Sequence, residues 1–362
     1  MNMLSTTNFF EGLKIIELSN ILAGPSVGMF FAEMGAKVLK IENKVTKGDI
    51  TRSWKLPSEP VNTDYSAYYC SVNWQKEVLM LDLKSSEDLD LLYKEVKTAD
   101  IVITNLKDSS AKGIGVSNEQ LQKINQKLII AHLKGFPDSD RPAFDIVLQA
   151  ETGFLYMNGE PNRPPVKMPV ALIDVLAAHQ LKEAILVALL HQARTGKGSI
   201  VTTSLYEAAI ASLVNQATNW LMAHHIPQPM GTQHPNIAPY GDLFYTKDKE
   251  LLVLAVGTER QFQALCECLN IEALIRNKKF DSNTNRVTNR QELMETLKPL
   301  FKKYDCSIIY NQLLKAKVPV GKVNNMKAVF ENENAQKMLL NETFEDGRNT
   351  QRVKTVAFEI SE

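Results

Sequence analysis

The pattern of apolar and polar positions changes period repeatedly along the first two hundred residues. Residues 13–18 (L-K-I-I-E-L) predict a strand. Gly24-Pro25 then opens a helix, with Val27, Phe30, Phe31 and Met34 at helical spacing and Gly35 as its cap. Residues 38–41 predict the next strand, and a strand, a helix and a strand imply a parallel pair. Further strands are predicted at 78–83, 101–104 and 128–133, with a helix at 86–97 and a shorter one capped by Ser117 and Gln120. An apolar run at 169–173 reads as one more strand, ending at Asp174. A long helix follows, with Leu176, Leu181, Ile185, Leu186, Leu189 and Leu190 largely on one side. Repeated βα units of this kind predict a doubly wound α/β fold with a parallel sheet.

The pattern changes near Gly231. Residues 242–246, a Lys247-Asp248 turn and residues 251–256 predict a β-hairpin. Helical periodicity then dominates at 259–269, 291–303 and 306–317, and a single helix over 206–224 is expected to bridge the two regions. No internal repeat interrupts this order.

Composition narrows the function classes. In 362 residues, 41 Lys and Arg balance 41 Asp and Glu, so bulk charge gives no nucleic-acid or membrane signal. Four scattered cysteines make no disulfide framework, and Cys266 and Cys268 fall in an apolar-periodic segment suited to core packing. The start M-N-M-L-S-T-T-N-F-F lacks the features of a signal peptide, so a cytoplasmic protein is expected. Six histidines show no metal-ligand spacing, and no metal site is expected. His179 reads as a structural histidine.

The first βα turn, residues 19–28, is not G-x-G-x-x-G, and Pro25 removes an N–H that a pyrophosphate would use. No nicotinamide or flavin is therefore expected. T-G-K-G-S at 195–199 lacks the first glycine of a P-loop and reads as a helix-to-strand turn. There is no G-x-S-x-G elbow for a serine nucleophile.

The remaining chemistry centres on one carboxylate. Asp174, between an apolar run and a long helix, reads first as a helix N-cap and second, compatibly, as a nucleophile at a strand end facing the ligand crevice. Lys107 and Lys134 each follow a predicted strand, which puts both on the rim expected for Asp174. Each is also acceptable as a solvated loop lysine. Met168, Phe144 and Tyr240 suit either a ligand pocket or the core.

Several stretches together resemble the family III CoA-transferases, the group that includes formyl-CoA transferase, carnitine CoA-transferase and α-methylacyl-CoA racemase. They are L-A-G-P at 22–25, M-G-A-K-V-L-K-I-E at 34–42, K-G-D at 47–49 and L-D-L-K at 81–84. A-D-I-V-I-T-N at 99–105, F-D-I-V-L-Q-A at 144–150, R-T-G-K-G-S at 194–199 and H-P-N-I-A-P-Y at 234–240 continue the match.

The resemblance implies a large Rossmann-like CoA-binding domain over 1–205 with 330–362, a linking helix over 206–228 and a smaller α+β domain over 229–329. It also implies an interlocked homodimer, coenzyme A as part of an acyl-CoA substrate, and a carboxylic acid acceptor. Asp174 falls on the family's catalytic aspartate, which carries CoA as an aspartyl thioester. Lys134, in L-K-G-F, matches a CoA-contacting lysine, and Lys107 stands where an arginine is usual. Leu22 and Ala23 fall where the first βα turn approaches the CoA thiol end.

Departures separate the alternatives. Racemases place a histidine where Phe144 stands before Asp145, which favours CoA transfer over α-carbon isomerisation. The family's glycine-rich loop is reduced to V-G-T-E at 256–259, and the chain stops at F-E-I-S-E, short of the usual C-terminal helix. Both features keep a non-catalytic CoA-binding protein as a third reading.

Overall fold

The computed structural model describes residues 3–4, 8–344 and 347–361. They form two compact units, one of Met1–Leu155, Lys167–Pro227 and Gln336–Glu362, the other of Tyr156–Val166 and Gln228–Ala335.

The first unit is built on a six-stranded, all-parallel sheet. Its strands are β1 (Lys14–Leu18), β2 (Lys37–Asn43), β3 (Glu77–Leu81), β4 (Ile101–Thr104), β5 (Ile129–Lys134) and β6 (Ser199–Ser204). Their spatial order is β3-β2-β1-β4-β5-β6, so the winding direction reverses between β1 and β4. This is the Rossmann order, and its reversal point is where such sheets bind ligands, outside the carboxyl ends of the strands.

Alternating side chains cover both faces. Ile15, Ile101, Ile103 and Ile129 pack beneath helix α1 (Ala23–Glu33) and a long helix over Leu172–Thr195, through Val27, Phe31, Ala177, Leu181 and Ile185. Ile16, Val102 and Ile130 pack on the other face with Leu92 and Leu121 of the helices Ser86–Val96 and Asn118–Ile124.

The long helix differs from its expected stripe. Ile173, Ala177, Leu181 and Ile185 are buried at four-residue steps, whereas Leu186 and Leu190 stand 41% and 52% exposed. Nor is there a strand at 169–173: those residues enter the helix directly, and Asp174 is its third residue. The helix ends at Gly196, at φ +69°, before β6, which makes residues 195–199 a helix-to-strand turn. The single helix expected over 206–224 is two, Leu205–Ala211 and Val214–Ala223, broken where Val214 takes φ +39°.

In the second unit, Tyr240–Tyr245 and Leu251–Ala255 form the expected hairpin, and Val320–Lys322 adds a third strand. Leu252, Leu254, Phe262, Leu265, Leu297 and Ile309 share one apolar core with Cys266. The excursion Tyr156–Val166 belongs here because Gly231 N–H donates to Gly159 O (2.8 Å) and Tyr156 Oη to Gln228 Oε1 (3.1 Å). Among the described residues no helix is long and apolar enough to cross a membrane.

Candidate active site

At the reversal point the loops after β1 and β4 are joined by two hydrogen bonds. Asn20 N–H donates to Asn105 Oδ1 (3.2 Å), and Asn105 Nδ2 donates to Asn20 O (3.0 Å). The next residue, Ile21, takes φ +77°, a left-handed conformation that is strained for a β-branched side chain. Its N–H donates to Asp49 Oδ2 (3.1 Å), which holds the turn in place.

Asp49 belongs to a buried ionic network beneath that turn. Lys40 Nζ lies 3.3 Å from Asp49 and donates to Glu17 Oε1 (2.9 Å) and Ser19 O (2.7 Å). Lys76 Nζ donates to Glu17 Oε2, to Pro25 O (both 2.8 Å) and to Asn73 Oδ1 (2.9 Å). Burial opposes the charge of Lys40, yet Glu17 and Asp49 hold its pKa above the ordinary value. Removing one member of such a network strands the others, so it fixes the turn firmly.

The turn ends in Leu22, which precedes α1, and Ala23, the first residue of that helix. Both line a cleft with Lys107, Lys134, Phe144 and Asp174. Leu22, Ala23, Lys107, Lys134 and Asp174, the catalytic and CoA-binding candidates of the sequence, thus line one cleft of the first unit, with Phe144 beside them.

Asp174 reaches it differently from either expectation. The N-cap is Ala171, so Asp174 is not a cap but sits in the first helical turn. The cap is supplied from a distance: Asp145 Oδ1 accepts the Ile173 N–H at 2.7 Å. Asp145 Oδ2 accepts from Gln149 Nε2 (2.5 Å), and Gln149 Oε1 accepts the Met168 N–H (3.0 Å). These side chains, rather than a strand ladder, hold the segment that leads into the helix.

Among the described residues neither the Asp174 carboxylate nor its N–H has a hydrogen-bond partner. Burial pushes its pKa up to about 7, and the charge of Asp145 adds to the rise. The carboxylate is therefore poorly solvated and basic, beside a free N–H at a positive helix end.

Lys134 Nζ pairs with Asp108 Oδ2 at 2.7 Å, whereas Lys107 is exposed and makes no ion pair among the described residues. Phe144 and Met168 are 50% and 40% exposed, so neither is core, and Tyr240 belongs to the other unit. His179 is exposed rather than held in the core. Ile21, Asp108, His132 and Asp145 are the site residues that pattern reading passed over. Of these only Asp145 left a trace, the D-x-x-x-Q spacing to Gln149 that puts both on one helical face.

Comparison with known proteins decides the family. The sequence profile of CoA-transferase family III matches residues 10–362. The chain belongs to that family. It is 34% identical over 333 residues to the succinate–glutarate CoA-transferase of Agrobacterium fabrum, covering 90% of this chain and 82% of that one. It is 32% identical over 324 residues to human succinyl-CoA:glutarate CoA-transferase, covering 88% and 73%. The crystal structure of a CAIB/BAIF family protein from Brucella suis superposes with a TM-score of 0.85 at 33% identity, over 97% of this chain and 93% of that one. As a family III CoA-transferase the protein acts on CoA thioesters, and the cleft holding Asp174 lies at the fold's ligand crevice. Among the described residues no group of His, Cys, Asp and Glu is placed to hold a metal ion.

Proposed function

We propose that the protein moves CoA between small carboxylic acids through a covalent Asp174–CoA thioester. The relatives named for succinate and glutarate make short dicarboxylates the first substrates to try. The observation that carries the reading is Asp174 itself, a desolvated carboxylate with no hydrogen-bond partner among the described residues, on the ligand rim of the sheet.

An Asp174 oxygen attacks the thioester carbonyl, the C–S bond breaks, and CoA thiolate leaves a mixed anhydride. The thiolate then attacks the Asp174 carbonyl carbon and expels the donor carboxylate, forming the aspartyl-CoA thioester. The acceptor carboxylate attacks the same carbon, regenerating thiolate and a new anhydride. Thiolate attack on the acceptor's acyl carbon yields the new acyl-CoA and frees Asp174. No net proton is consumed, so the site needs charge stabilisation more than an acid. The Asp174 N–H, in the first turn of the helix, is a backbone donor suited to an oxyanion, since Asp145 occupies that of Ile173.

The cleft volume is about 140 Å³, room for the reactive end of an acyl-CoA. Leu22 and Ala23 border that end, while Lys107 and Lys134 on the rim suit the phosphates. The working form is taken as a cytoplasmic homodimer. Exposed Trp220, Leu221, Met222 and Ile226 form an apolar stretch suited to a subunit contact.

Native mass spectrometry after incubation with succinyl-CoA tests the reading in one run. A hydroxylamine-labile CoA adduct on a dimer of 40.6 kDa chains is expected, absent from Asp174→Ala. An adduct that persists in the variant would remove Asp174 from the mechanism, and a monomer carrying the adduct would remove the dimer.

A further inference from the structure

Three titratable groups beside the cleft are unevenly matched. Lys134 Nζ holds Asp108 Oδ2 at 2.7 Å, and Asp108 Oδ1 lies 3.6 Å from His132 Nδ1. His132 is 3% exposed, and its Nε2 lies 2.9 Å from the carbonyl oxygen of Leu106. A carbonyl only accepts, so Nε2 carries the proton of the neutral ring. That leaves Nδ1 as a buried lone pair with no hydrogen-bond partner, facing a carboxylate. The pair becomes attractive only when the imidazole is charged.

The surroundings keep it neutral while Lys134 stays where it is. Burial lowers the His132 pKa, the Leu106 carbonyl and Asp108 oppose that, and the Lys134 charge lowers it further. Asp140 also faces the ring electrostatically, and Lys112 and Glu119 line the adjoining hollow. The flanking strands contribute Thr104 and Thr202, which are uncharged. Lys134 is the one cation ion-paired with Asp108 among the described residues.

We propose that CoA binding is coupled to uptake of a proton by His132: a CoA phosphate draws Lys134 from Asp108, and Asp108 pairs with the imidazolium instead. This rests on Lys134 being a phosphate contact. The ligand-free site favours neutral His132 and the occupied site favours the charged form, so affinity rises as pH falls through the imidazole range. His132 thereby replaces Lys134 as the partner of Asp108 when the ligand arrives.

Titration calorimetry of CoA binding, in buffers of different ionisation enthalpy between pH 6 and 8, counts the protons. His132→Gln keeps a donor for the Leu106 carbonyl but cannot titrate. Wild type is expected to take up about half a proton more per CoA than this variant near neutral pH. Subtracting the two removes the titration of the ligand phosphates and of Asp174. Asp108→Asn frees Lys134 in advance, so it binds CoA about two- to five-fold tighter at pH 8 and shows the reduced proton count. Equal proton counts in wild type and His132→Gln, with CoA binding intact, overturn the coupling alone. Failure of all three proteins to bind CoA overturns the CoA reading and the coupling together.

Discussion

At the residue scale, Asp174 is caught between two demands. A carboxylate attacks better when it is more basic, but it attacks only when ionised. With a pKa near 7 it is far more basic than an ordinary carboxylate, and part of it stays protonated at neutral pH. Burial causes most of this and Asp145 the rest, so Asp145 acts twice, capping the helix and repelling the charge on Asp174. Asp145→Asn keeps an acceptor for the Ile173 N–H while removing the charge. The acidic limb of kcat/KM, centred near pH 7 in the wild type, is expected to move to lower pH in this variant. A pH profile from 5 to 8.5 reads this, and overlapping limbs would assign the whole shift to burial. The raised pKa also bears on folding. The unfolded chain releases this proton at lower pH, so the group's contribution to stability is full in acid and is lost as pH rises through about 7.

At the scale of elements, the start of the Asp174 helix shows what local pattern can and cannot carry. The helix was legible from its apolar period, but its first turn was not, because its cap comes from a side chain 28 positions away. The run 169–173 looked like a strand through apolar content alone, and nothing in it says that Asp145 and Gln149 take the N–H groups a ladder would use. The break at Val214 was equally hidden, since apolar spacing continues across it. Lys107 and Lys134 were legible because a residue just past a buried strand must reach the rim. Their difference, Lys134 ion-paired and Lys107 without an ion pair among the described residues, depends on Asp108, which only the fold brings to Lys134.

Helix α1 offers a direct test of how firmly the first turn is held. Gly28 lies against the Glu17–Lys76 pair, and a methyl group there would run into the Glu17 carboxylate. Gly28→Ala is expected to cost about 1–3 kcal/mol of stability in urea unfolding. An unchanged midpoint would mean that the ionic network yields readily.

At the scale of the molecule, the first unit is assembled from three separate stretches of chain, whereas most of the second lies in one. Glu33, buried at the end of α1, binds the last of the three stretches. It accepts the Thr355 N–H (2.7 and 3.0 Å) and the Val356 N–H (3.0 Å). Glu33→Ala is expected to speed amide exchange at Thr355 and Val356 about tenfold, the loss of roughly one charge-assisted hydrogen bond. Unchanged exchange there would show that apolar packing alone, with Val356 in the core cluster, holds the segment.

That clasp joins positions 322 residues apart. At a synthesis rate of about 5–20 residues per second, Glu33 leaves the ribosome on the order of 20–60 s before its partners do. The whole of the second unit, through Ala335, is made in that interval. The unit that is begun first is therefore completed last, and Glu33 must wait with its carboxylate unclaimed until well after the smaller unit has been made.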